Sequence, residues 1–227
     1  MKTVGFSIEM HRRIFTFLSM LGLTPDDILG RMAPAPMRPA PSLAFSISYG
    51  AVSVTVVSLL AYSIWTFHLI PGTAAMYASI AAVYVVLTGV ALSRLLVAPG
   101  ATSRFALLFA VAFVVYALIW CAFWFGLKGK HHADLWGSAV GLAAMAWMLQ
   151  RGFGHVGNFL ALAGVLFAFH TLGYYLGDVL HGLFRGPPGR MLWGAAHGAG
   201  FGAGLGYVLF HCQAPLRQRL LARAAAT

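Results

Sequence analysis

Six long apolar runs, separated by short polar breaks, dominate the chain, at roughly 43–69, 73–97, 103–127, 134–150, 154–182 and 191–212. At 1.5 Å per residue, about 20 helical residues cross a 30 Å hydrocarbon layer, so each run reads as a transmembrane helix, the fourth being short. Pro71-Gly72 makes the first hairpin tight, Pro99-Gly100 breaks the second connection, and Gly186-Pro187-Pro188-Gly189 breaks the fifth. Ahead of the first run, Phe6, Ile8, Ile14, Phe15, Phe17, Leu18 and Leu21 are interleaved with Lys2, His11, Arg12 and Arg13. The apolar stretch 14–23 is too short to span, and an amphipathic helix lying on the membrane surface is the expectation. Thr24-Pro25-Asp26-Asp27 reads as a helix start, and Pro34, Pro36, Pro39 and Pro41 as a stiff linker. The pattern predicts an all-α integral membrane protein: a cytoplasmic segment 1–42 with an amphipathic helix, a six-helix transmembrane domain 43–212, and a basic cytoplasmic tail 213–227.

Composition agrees, with 60% hydrophobic and 9% charged residues, against about 25% charged in soluble domains. The formal charge of +10 comes from basic residues in short loops and tails, without the stripe that nucleic acid requires, so nucleic-acid binding is excluded as an expectation. With the N-terminus inside, Lys2, Arg12, Arg13, Arg31, Arg38, Arg94, Arg104, Arg151, Arg217, Arg219 and Arg223 face inward, and only Lys128, Lys130, Arg185 and Arg190 face outward. This bias predicts both termini in the cytoplasm and a bacterial-type inner membrane. Cys121 and Cys212 lie in or at the end of apolar runs, which disfavours a disulfide or a thiolate zinc site. The first long apolar run begins only near residue 43, too late for a cleavable signal peptide.

Candidate chemistry concentrates on the fifth run. His170, Tyr174, Asp178 and His181 fall at roughly 0°, 40°, 80° and 20° around a helix, on one face. Asp178 is the only acid inside a membrane-length apolar run; at a bilayer centre it costs on the order of 2.5–3.5 kcal/mol and marks a functional site by default. Placed six residues nearer the membrane edge it costs little, so its depth decides its meaning. The predicted orientation puts His68, His131, His132, Asp134, Asp178, His181 and His197 on the outer side. Convergence of Asp178, His181 and His197 would suit zinc, nickel, copper or non-haem iron, and equally a proton relay.

On the sixth run, Gly194, Gly198, Gly202 and Gly206 recur every four residues, with Gly200 and Gly204 as a second row. Small residues at this spacing let helix backbones approach in lipid, and predict a glycine zipper to neighbouring spans or to a partner or second copy. His197 and His211 share a face with Gly200 and Gly204 between them; with His170 across from His211, this spacing would admit haem b. Ala196-His197-x-x-Gly200-x-x-x-Gly204 also resembles the last catalytic helix of the rhomboid intramembrane proteases. The resemblance covers about twenty residues and implies Ser138 as nucleophile with His197 as its base. This chain departs from that family in three respects: Trp136-Gly137-Ser138-Ala139 replaces Gly-x-Ser-Gly, Pro71-Gly72 stands in place of a long first loop, and the second span lacks the His and Asn of the oxyanion site.

The leading expectation is a structural, assembly or accessory membrane protein acting through helix packing on span six. The alternative is a small transporter or metal- or haem-handling protein using the outward His/Asp groups; the further alternative is proteolysis by Ser138 and His197.

Overall fold

The computed structural model describes Thr16 and residues 20–31, 40–98, 100–155 and 157–225. Of the surface helix expected from Phe6 to Leu21, with its apolar stretch 14–23, only Thr16 and residues 20–23 are described, and residues 21–23 are not helical; Pro34, Pro36 and Pro39 lie outside the described residues. The described chain is all-helical. A short α1 (Pro25–Arg31) precedes α2 (Leu43–Thr66), α3 (Thr73–Leu92, prolonged by a 3₁₀ turn to Leu95), α4 (Thr102–Gly126), α5 (Ala133–Gly152), α6 (Phe159–Phe184), α7 (Gly186–Cys212) and α8 (Ala214–Ala225). Four of these, α2, α3 with its 3₁₀ turn, α4 and α6, are long and apolar enough to cross a membrane. The molecule is an integral membrane protein by this measure.

The helices start where local chemistry favours it. Ser42 caps α2 by accepting from Phe45 N at 3.1 Å, and Asn158 caps α6 by accepting from Ala161 N at 3.2 Å. Pro187 and Pro188 do not break the chain into a loop as the sequence suggested. They occupy the first turn of α7, where a missing N–H costs nothing. The whole turn from α6 to α7 is therefore Arg185, at φ 44° and ψ 171°.

The six long helices form a ring in chain order, each packing on the next, and α7 closes the ring against α2. The closest approaches are α2 to α7 and α6 to α7, and glycine makes both. Along one face of α7, Gly194, Gly198, Gly202 and Gly206 abut Tyr62, Ser58, Gly50 and Ser46 of α2. Along the other, Gly200 and Gly204 abut Gly173 and Leu166 of α6. A methyl group at Gly198 would stand 2.6 Å from Ser58 Cβ and 2.8 Å from the Val54 carbonyl oxygen. Ser58 Oγ donates to the Gly194 carbonyl at 2.7 Å, stitching the same seam. Both glycine rows thus face helices of the same chain.

At one end the bundle is capped by segments read from sequence as separate from it. Leu21, Leu23, Ile28 and Leu29 are buried in the main core with Phe105 and Phe153. The basic tail forms α8, whose Leu216 and Leu220, one turn apart, are buried. Arg219 pairs with Asp26, tying α8 to α1.

Candidate functional site

The ring's interior holds a polar cluster contributed by four helices. His170 of α6 is 3% exposed. Its Nε2 lies 3.0 Å from the Tyr116 hydroxyl of α4 and 3.2 Å from Nε2 of His197 on α7. All three residues stand about ten or more residues from either end of their helices, roughly 15 Å, which is the middle of the bundle. Tyr84 of α3 stacks on His197 with ring centroids 6.4 Å apart, and Phe201 lies parallel to the same imidazole at 6.1 Å. The Nδ1 atoms of both histidines and the hydroxyls of Tyr84 and Thr171 are buried without a hydrogen-bond partner. Orphaned polar atoms at this density are uncommon in a packed interior and point to a site rather than to core.

The cluster can hold a proton in several places. A ring-to-ring Nε2 contact requires one imidazole to donate and the other to accept, and the tautomers exchange these roles. The Tyr116 hydroxyl meets the same Nε2, which carries one hydrogen or one lone pair, so Tyr116 and His197 engage it in alternation.

A crevice leads from this cluster toward the end of the bundle opposite α1 and α8. It is lined by Asp134, Leu135 and Ser138 of α5 and by His170, Thr171, Tyr174 and Tyr175 of α6, with about 10 Å³ for a water-sized body. Tyr175 donates to Asp134 Oδ2 at 3.4 Å at its mouth. On the other side of the histidines the interior is aromatic: Phe201, Phe113, Phe109 and Phe105 follow one another with centroids 5.9–6.3 Å apart. The pair is open toward one end and packed shut toward the other.

The residues singled out from sequence divide accordingly. His170, Tyr174 and His197 come together, Tyr174 and His197 having ring centroids 6.3 Å apart. Asp178 is exposed, and His181 packs its ring on Trp193 at 5.6 Å. Asp178, His181 and His197 do not converge, and among the described residues no three His, Cys, Asp or Glu side chains form a metal shell. His68, His131 and His132 are exposed, each in left-handed backbone.

The haem spacing fails on register. With Arg185 as the whole turn, Gly189 meets His181, Trp193 meets Gly177, and His197 meets His170. His170 is therefore level with His197, not with His211, which packs instead on Tyr207 at 4.4 Å near the other end of α7. Two metal–nitrogen bonds of about 2 Å each hold ligand nitrogens about 4 Å apart with a macrocycle between them. His170 and His197 are already in contact, and α6 and α7 touch backbone to backbone at Gly173 and Gly200.

For the proteolytic dyad, Ser138 lines the crevice beside His170, while the nitrogens of His197 meet His170 or nothing. The Ser138–His197 hydrogen bond that a dyad needs is not among those formed by the described residues.

Sequence reasoning passed over Tyr84 and Tyr116. A signal existed: each is a tyrosine well inside an otherwise apolar span, and a phenol at that depth needs a polar partner. No family model, curated protein or solved structure matches this chain.

Proposed function

We propose that this chain is a six-span transporter-class membrane protein that takes up and passes protons at the His170–His197 pair, with Tyr116 as the third member of the relay. One observation carries the reading: two imidazoles in ring-to-ring contact at 3.2 Å, in the middle of the bundle, with both Nδ1 atoms unpartnered. A helix-packing scaffold needs no such pair. The glycine rows that suggested an assembly role face α2 and α6 of the same chain, so they no longer argue for an external partner. The Lys/Arg bias supports both termini in the cytoplasm of a bacterial-type membrane, which makes the crevice the outer approach to the pair.

The test is proton flux into proteoliposomes carrying an internal pH dye under an imposed potential. His170→Gln and His197→Gln are each expected to lower the flux by about a hundredfold or more, and Tyr116→Phe by on the order of tenfold. Size-exclusion profiles matching the parent protein establish that the variants fold. Flux that persists in both folded histidine variants overturns the proposal.

A further inference from the structure

The crevice above the histidines has a chemistry of its own that proton transfer does not need. Asp134 and Ser138 stand one turn apart on α5, and Thr171 and Tyr175 one turn apart on α6, so two oxygen-bearing rows face each other across it. The Thr171 hydroxyl is buried with no hydrogen-bond partner, although it lines a cavity. We propose that this crevice binds a hard monovalent cation, sodium or potassium, held by Asp134 and by the hydroxyls of Ser138, Thr171 and Tyr175.

Size, charge and donor type each narrow the ligand. The crevice has room for a water-sized body, about 1.4 Å in radius, and so admits one dehydrated monovalent ion. Among the lining residues Asp134 is the only carboxylate, and none is Lys or Arg, so the crevice attracts a cation and repels an anion. A single negative charge suits a monovalent ion; Ca²⁺ sites assemble six to eight oxygens with more charge among them. The donors are oxygens apart from His170, whose Nε2 faces Tyr116 and His197 and whose Nδ1 is unpartnered. With no third His, Cys, Asp or Glu beside Asp134 and His170, the set does not suit zinc or its soft neighbours. At the partly exposed mouth of the crevice, the carboxylate and the hydroxyl dipoles replace part of the hydration of the ion.

His170 lines the crevice, so a proton on it opposes a cation there; melting at one fixed pH, together with the His197→Gln variant, keeps the two apart. The full-length protein in detergent is melted in sodium, potassium and choline chloride at equal ionic strength. Sodium or potassium is expected to raise the Tm over choline by on the order of 3 °C, saturating with concentration. Asp134→Asn and Thr171→Val should each abolish the increment while leaving the Tm in choline near that of the parent. His197→Gln should keep the increment even where it removes proton flux. Equal Tm values in all three salts overturn the proposal, and so does an increment that survives in either crevice variant. If Asp134→Asn does not fold, Thr171→Val alone decides.

Discussion

At the scale of single residues, facing and depth decide what each polar group of α6 can do. A repeat of polar groups three and four apart on an apolar helix fixes a shared face, and His170 and Tyr174 do point inward. Periodicity is blind to depth and to the exact edge of the buried sector. Asp178 lies about 80° round from His170 and turns outward within about six residues of the helix end, so it is exposed. Tyr116 and Tyr84 carry a weaker signal, a phenol deep in an apolar span, and their meaning arises only when six helices meet. The prediction at this scale reverses the rank that sequence gives. Asp178→Asn should leave proton flux within about twofold of the parent and leave the melting temperature unchanged, since an exposed carboxylate without a close partner contributes little. Loss of flux in that variant would show that the ladder acts as a unit and that the inward pair is not the centre.

At the scale of elements, the glycine spacing of span six was legible and its partners were not. Four-residue recurrence shows that a backbone approaches, but only the ring closure shows that α2 and α6 are what approach. Position along the seam then separates glycines that look alike in sequence. At Gly198 an added methyl meets Ser58 Cβ at 2.6 Å and backbone atoms of Val54 and Thr55 within 2.9 Å, while at Gly182 on α6 nothing lies within 4 Å. Gly198→Ala should therefore destabilise by about 1–3 kcal/mol, and Gly182→Ala should be neutral or stabilise by a few tenths. Thermal melts of the two side by side test this, and equal shifts would contradict the close seam. The α6–α7 turn is the second case. Arg185 at φ 44° and ψ 171° occupies backbone that side chains rarely adopt, held there because two helices start and stop on one residue. Arg185→Gly should raise stability by about 1 kcal/mol in the same melts; a loss would mean that the guanidinium holds the turn through contacts worth more than its strain. That single-residue turn fixes the register of α6 against α7, with His170 level with His197 and His211 about four turns further along α7.

At the scale of the whole molecule, the number of spans separates a reading by hydropathy from a reading by packing. Hydropathy singles out four helices and leaves α5 and α7 aside. Those two are the most enclosed: eleven of the twenty residues of α5 and twelve of the twenty-seven of α7 are buried, against four of twenty-five in α4. A helix surrounded by other helices needs no lipid-facing leucine, and close approach favours glycine and alanine, which lower its hydropathy without lowering its length. At 1.5 Å per residue, twenty and twenty-seven residues reach about 30 and 40 Å, enough to cross. Six crossings place the start and end of α5, and of α7, on opposite sides of the membrane. In a background with Cys121 and Cys212 replaced by alanine, His132→Cys and Arg185→Cys should react with a membrane-impermeant thiol reagent on intact cells. Arg151→Cys and Gln218→Cys should react only after permeabilisation. Labelling of His132→Cys and Arg151→Cys from the same side would leave α5 re-entrant or surface-bound. The crevice between α5 and α6 would then lack one membrane-spanning wall, and the outer approach to the histidine pair would fall with it. Opposite labelling at both helices, with the α8 end inside, fixes the direction from which a proton or a cation reaches His170.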